Sequence, residues 1–366
     1  MEKIKELLWA FKQNKKTQMI ALGSVIIAIV VILGILFFTK NQDDSQATVT
    51  NLNSNTGDNP ERLRRFIDGV FVSSGNENLH PKAVMIENLV STRPQSGLGQ
   101  ANMVYETLAE GGITRFLAFY ADVEKPLKEI GPVRSARPYF VAIAEEYGAL
   151  YAHAGGSPEA LTGIQGTKKI TNLDQISGDH PYFWRADDRE APHNLFTSTE
   201  LLERAARDKQ VTESGDFDPW KFKDDATLEE RPQDGAELIL NFSSTDYRVR
   251  YMYDRETNTY YRYQGQEKHI DKLTNEQLHP KNILVQMTTS AVLETDTGRL
   301  SIETSGEGKA LMYFDGQKKE GTWKKSESGR TIFYDENGRE VEMNAGQTWI
   351  EVIPNDKEIL YNQTSP

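Results

Sequence analysis

The stretch GPVRSARPYFVAIAEEYGALYAHAGGSP, Gly131 to Pro158, decides how the first half of the chain is read. From Tyr139 to Tyr147 apolar residues recur at helical spacing (Phe140, Ile143, Ala144, Tyr147), and Glu145 and Glu146 turn outward. Gly148 supplies the stop. Pro138 suits the first helical position, where a missing N–H costs nothing. Ala149 to Ala154 reads as a short buried strand, and Phe116 to Val123 as another upstream. Strand, helix and strand predict a βαβ crossover with the two strands parallel. Arg134, Ser135 and Arg137 then fall between the first strand and its helix, and His153, Gly155, Gly156 and Ser157 at the end of the second strand. Both places are carboxyl ends of parallel strands, where open α/β sheets hold ligands.

Working outward, Ser157-Pro158-Glu159 opens a further helix through Ile164 with Ser157 as N-cap. Two helix N-termini beside Arg134 and Arg137 favour an anion. The competing reading pairs these arginines with Glu129, Glu145 or Glu146. His153 has two readings as well, a satisfied core histidine or a proton-transfer group. Upstream, Ala83–Ile86 reads as a strand ending in Glu87-Asn88. Met103–Glu110 and Ile113–Val123, joined by Gly111-Gly112, read as a β-hairpin with a two-residue turn. Alternation then sets Glu106, Glu110 and Arg115 on one face, as an acid–base–cation group or a surface ion pair. Downstream, Lys168–Thr197 is a long polar loop carrying His180, Arg189, His193 and Asn194. Loops of that length are usually functional or disordered, and the Tyr182-Phe183-Trp184 cluster argues for order. Its acids and histidines follow no metal-binding spacing, so no metal site is assigned. Thr197-x-x-Glu200 is a capping box for a structural helix through Arg207.

The chain has 366 residues, a net charge of −12 and no cysteine. The acidic balance excludes general nucleic-acid affinity, and the missing thiols exclude disulfides, cysteine-ligated zinc and lipidation through cysteine. Met19 to Phe38 is apolar over about the 20 residues that cross a bilayer. Lys3, Lys5, Lys12, Lys15 and Lys16 precede it, which puts the N-terminus in the cytoplasm and the rest outside. The expected organisation is a cytoplasmic tail (1–18), a transmembrane helix (19–38) and a polar, flexible linker (39–61). An α/β domain (62–210), an inter-domain linker (211–236), a β-rich domain (237–354) and a C-terminal tail (355–366) follow. The fold class is thus an α/β domain with a mixed sheet and βαβ crossover, then a smaller, mostly antiparallel β-domain, barrel or sandwich. Tyr251, Tyr253, Tyr260, Tyr261, Trp323 and Trp349 in the latter read as strand packing or as a glycan-stacking platform.

No Walker loop, G-x-G-x-x-G, H-E-x-x-H, nucleophile elbow or Cys-His pair is present, and no cofactor is expected. Several longer motifs resemble the YerB-like family of bacterial envelope proteins: Val84–Asn88, Arg93–Gly97, Tyr105-Glu106, Glu110–Phe116, Gly131–Pro138, His153–Pro158 and Ala191–Asn194, with Gly298–Leu300, Gly321–Trp323 and Gly346–Ile350 in the second half. The resemblance covers nearly all of the chain after the linker. It implies an envelope location and two such domains, and it supplies no established activity. Members are usually described as lipoproteins; this chain departs from them in lacking the anchoring cysteine. A fainter likeness, Leu150–Gly156, is to one motif of the LytR-CpsA-Psr cell-wall polymer ligases, whose other arginine and aspartate motifs are not recognisable here.

Two functions follow. In one, the protein is a single-pass, extracytoplasmic binding module that holds an anionic envelope polymer or lipid-linked ligand. Arg115, Arg134, Ser135, Arg137, Gly155, Gly156, Ser157, Arg189 and Asn194 would contact that ligand. In the other it is a transferase or hydrolase on envelope glycans or lipid-linked phosphates, with Glu106, His153 and His193 as proton-transfer groups.

Overall fold

The computed structural model describes residues 62–363, apart from 123–124, 235, 295 and 327–328. The expected tail, membrane span and linker lie outside the described residues. Among the described residues no helix is long and apolar enough to cross a membrane.

In the first half, apolar runs form strands at Lys82–Glu87 (β1), Met103–Leu108 (β2) and Thr114–Tyr120 (β3). Pro138–Glu146 (α1), Leu150–His153 (β4), Pro158–Gly166 (α2), Thr171–Asp174 (β5) and Thr199–Asp208 (α3) follow. The second half adds Ala236–Asn241 (β6), Arg248–Asp254 (β7), Thr259–Gln264 (β8), Asn282–Thr288 (β9), Ser290–Glu294 (β10) and Arg299–Ile302 (β11). Gly306–Phe314 (β12), Gln317–Lys325 (β13), Ile332–Asp335 (β14), Thr348–Pro354 (β15) and Ile359–Gln363 (β16) complete it. A ten-stranded mixed sheet runs β14-β13-β12-β9-β15-β2-β3-β1-β4-β5. β1 and β2 are buried along their whole length, as strands covered on both faces are. β1, β4 and β5 are parallel, β15 is parallel to β9 and β2, and β3 is antiparallel to β1 and β2. Six strands therefore deliver their carboxyl ends to one side of the molecule.

The crossover expected from β3 through α1 to β4 is not formed, because β3 and β4 run in opposite directions. After β3 the chain doubles back beside β1: Val133 bridges Ile86, and the Arg134 amide donates to the Met85 carbonyl at 3.0 Å. α1 thus starts at the carboxyl end of β1, and β4 returns parallel to β1. The βαβ unit is β4-α2-β5, and it includes a strand where the sequence suggested only loop. Arg134 and Arg137 still reach the carboxyl ends, by a returning segment rather than by a crossover.

The turn between β2 and β3 also differs. Ala109 and Ile113 close a loop of Glu110, Gly111 and Gly112, so Leu108 pairs with Thr114 and Glu106 with Phe116. The loop is one residue longer than a two-residue turn, and that slip moves Arg115 to the face opposite Glu106.

The boundary at 211–236 divides the sequence without dividing the sheet. β9, β12–β15 and β1–β5 are hydrogen-bonded into one surface, and one core cluster contains Met103, Tyr105 and Phe140 together with Ile283, Trp323 and Ile350. The segment 211–236 lies on the body: Trp220 stacks on Phe333 with centroids 6.1 Å apart, and Phe222–Lys223 pairs with Met343–Asn344. β16, in the expected C-terminal tail, pairs with β6 in a five-stranded antiparallel sheet of Glu267–Lys268, β8, β7, β6 and β16. Tyr251, Tyr253, Tyr260, Trp323 and Trp349 are buried, so they form core rather than a glycan platform.

Candidate functional site

The segment 130–137 is held on three sides. Ile130 and Thr197 exchange backbone hydrogen bonds, the Val133 amide donates to Leu195, and Ala136 donates to Gly155 at 2.9 Å. Gly131 has φ +147°, and a Cβ there would lie 2.9 Å from the Val133 nitrogen and from the Phe196 ring, so this position requires glycine. The loop is therefore rigidly placed, and its arginines emerge at the carboxyl ends of β1 and β4.

Arg137 binds both oxygens of Glu110, with Nη2 2.6 Å from Oε2. Arg115 shares that carboxylate at 3.4 Å and donates through Nη1 to the Ser135 carbonyl at 2.9 Å. Burial opposes the charged form of Glu110, but the Arg137 hydrogen bonds and both guanidinium charges outweigh it and hold the carboxyl below its ordinary range. Two guanidiniums on one carboxylate leave a positive surplus. Burial and then the neighbouring Arg137 charge push Arg115 down to about 10. Arg134 donates through Nε to Glu87 Oε1 at 2.7 Å, and His193 Nδ1 lies 2.9 Å from Oε2 of the same carboxylate. Glu87 and Arg115 are cross-strand partners, so the two groups adjoin. Arg93 donates to the Asn88 side chain at 3.0 Å and lies 5.1 Å above the Tyr247 ring. Among the described residues it has no carboxylate partner, and burial lowers its pKa.

The other expected residues are placed differently. Glu106 is fully buried on the far face of β2 and forms an ion pair with Arg262 of β8. Thr114 donates to it at 2.5 Å and Asn88 at 3.4 Å. In register beside it stands Glu351 of β15, whose carboxyl burial and the Glu106 charge raise well above the usual range, so that it is neutral. Arg262 also donates to Tyr251 Oη at 3.0 Å and to Gln264 at 2.8 Å, and lies 4.4 Å above the Trp349 ring. This cluster joins the two sheets, and Asn88, which donates to Glu106 and accepts from Arg93, links it to the loop after β1. His153 is fully enclosed, with Nδ1 2.8 Å from the Gly155 carbonyl and Nε2 2.8 Å from the Asn172 side-chain amide. Its work is to fix the Gly155-Gly156 turn. The Gly155 amide is taken by Asp174 at 2.7 Å, Gly156 bridges Ala136, and Ser157 caps α2 through Ala160 at 3.3 Å. Ser135 Oγ donates to Ala154 at 2.9 Å. Arg189 braces the carbonyls of Thr92 and Pro94, and Asn194 bonds Arg185 and Ala186 within its own loop.

The rim is thus Arg115, Arg134, Arg137 and His193 around Glu87 and Glu110. Glu87 and Arg93 were missed as site residues. The available signal was a carboxylate closing an apolar run (Val84–Glu87) and an arginine set between loop residues in Thr92–Gly97. Among the described residues no three histidine, aspartate or glutamate side chains converge as a metal site.

Two family models match the chain: the protein of unknown function (DUF3048) N-terminal domain over residues 69–212, and the DUF3048 C-terminal domain over residues 238–350. A Bacillus subtilis (strain 168) protein named "Putative lipoprotein YerB" is 29% identical over 297 residues, 81% of this chain and 88% of that protein. The crystal structure of the YerB protein from Bacillus subtilis matches with a TM-score of 0.72 at 28% identity, covering 81% of this chain and 99% of that one.

Proposed function

We propose, proceeding from the fact that this chain belongs to the two-part YerB-like family of unassigned function, that it is a membrane-associated protein working outside the cytoplasm. There its guanidinium rim holds an anionic group of the cell envelope. The location is supported by the Bacillus relative being named a lipoprotein and by the apolar run Met19–Phe38 behind five lysines. That run is the anchor in this reading, because the chain has no cysteine to carry a lipid. Protease treatment of intact cells should remove everything after the run and leave a short stub; full protection would reverse the orientation.

One observation carries the ligand reading. In a chain of net charge −12, Arg115 and Arg137 share the single carboxylate of Glu110, with Arg134 on the adjoining strand end. A half-buried positive surplus is completed by an external anion that accepts charge-assisted hydrogen bonds. The test is calorimetric titration of the full chain, in uncharged detergent, with inorganic pyrophosphate. A hydrogen bond to a charged group contributes about 1.5–3 kcal/mol, so Arg134→Ala should weaken binding by about 10-fold or more. Unchanged affinity in both Arg134→Ala and Arg137→Ala would remove the site.

A specific observation favours the enzyme reading as second choice. Of the three proton-transfer candidates, only His193 reaches the surface, and Glu87 holds its Nδ1 as an orienting carboxylate does in base–orienter pairs. No serine or threonine hydroxyl is bonded to His193 among the described residues, so the nucleophile in that reading is water.

A further inference from the structure

We infer that the rim's ligand is a linear polyanion with charges at intervals along a chain, a polyphosphodiester, rather than one small ion. This rests on the anion-binding reading above and adds the ligand's class. The guanidiniums stand in two groups. Arg115 and Arg137 surround Glu110. Arg134, with Glu87, stands beside the loop after β1, where Arg93 and Arg189 lie. Arg189 Nη1 and Nη2 donate to the carbonyls of Thr92 and Pro94, at 2.5 Å and 2.8 Å, so it is tied to the backbone on either side of Arg93. Among the described residues neither Arg93 nor Arg189 has a carboxylate within ion-pair distance. Three guanidiniums are thus ion-paired to the two carboxylates Glu87 and Glu110, and Arg93 and Arg189 stand near them without an ion pair among the described residues.

The geometry decides against a single ion. Arg134 and Arg137 are three residues apart on extended backbone, about 10 Å between Cα atoms, and their side chains reach different carboxylates. One phosphate neutralises one group and leaves the other charged, whereas a chain of phosphates running across the ends of β1 and β2 neutralises both. Tyr247, beside the loop after β1, is buried and covered by Arg93, so it offers bases no stacking face, and a nucleic acid gains nothing from it over a plain polyphosphate.

The test uses the full chain in uncharged detergent and inorganic phosphates of increasing length: pyrophosphate, then chains of about 5, 15 and 45 units. Affinity should rise at least 100-fold from pyrophosphate to the 15-unit chain. The slope of log affinity against log salt should steepen by two or more, since each neutralised phosphate adds about 0.7 to it. Arg93→Gln should cost the long chain about 10-fold and pyrophosphate less than 2-fold, and Arg189→Gln should behave alike; melting curves of both variants confirm folding. Pyrophosphate binding with no gain from length would overturn the polymer class and leave the anion reading standing. Failure of every length would overturn both. Oligothymidylate of equal charge binding 10-fold tighter than polyphosphate would also overturn it, because bases would then be contributing.

Discussion

Replacing Arg262 by Met opens the joint between the two sheets without touching the rim. Arg262 is fully buried, pairs with Glu106, and donates to Tyr251, Gln264 and His269. Methionine fills much of the volume, so the cavity contribution is small. The loss lies in what remains: a Glu106 carboxylate inside the core without its counter-charge, held by Thr114, Asn88 and the Glu351 carboxyl. Breaking a buried pair from one side costs about 3–5 kcal/mol, so we predict about 4 kcal/mol. Urea unfolding followed by tryptophan fluorescence measures it, with a melting temperature about 10 °C lower as the companion reading. Adding Glu106→Gln should restore at least about 2 kcal/mol, because the unpaired charge is then gone. A cost below about 1 kcal/mol for Arg262→Met, or a double variant as unstable as the sum of the two singles, would refute the reasoning.

Three further outcomes follow from the same contacts. Glu351 is neutral in the fold and ionised when unfolded at neutral pH, so its raised pKa contributes stability fully below about pH 4. That contribution is lost as pH rises, so Glu351→Gln should gain stability over the parent from about pH 5 upward and match it near pH 3 in urea midpoints taken across that range. His153→Ala removes a buried ring bonded at both nitrogens and should cost about 2–4 kcal/mol in urea unfolding, while pyrophosphate affinity of the folded fraction stays within 2-fold. Gly321 lies so close to β14 that an added Cβ would sit 1.9 Å from the Tyr334 carbonyl oxygen, so Gly321→Ala must push the strands apart and should cost about 2 kcal/mol or more, read as a lowered melting temperature.

Local order was legible where local chemistry dictates it. Pro138 and Gly148 bracket α1, and Ser157 caps α2, as the sequence indicates. Strands fill most of 237–354, as the expectation of a β-rich second half requires. What escaped is non-local. Nothing in Phe116–Val123 tells that the chain afterwards turns back along β1, because that path is set by Val133 and Arg134 pairing with Ile86 and Met85. Gly111-Gly112 fits both a two- and a three-residue turn, and the one-residue difference decides whether Glu106 faces Arg115 or Arg262. Arg262 lies 156 residues from its partner Glu106, and a lone arginine in an otherwise ordinary strand gives no sign of a buried ion pair. The arginine rim was readable as a concentration of guanidiniums at strand ends, and alternation already set Glu110 with Arg115; Glu87, and the pairing of Glu110 with Arg137, became assignable only with the coordinates.

The central claim is that the guanidiniums at the carboxyl ends of β1, β2 and β4 meet an external anion. Its most direct measurement is the side-chain Nε–Hε resonances of arginine in the full chain, recorded as inorganic pyrophosphate is added. The signals of Arg115, Arg134 and Arg137 should shift together and saturate at one concentration while that of Arg262 stays fixed. No movement of the three at saturating pyrophosphate, or movement of Arg262 in their place, would contradict the account.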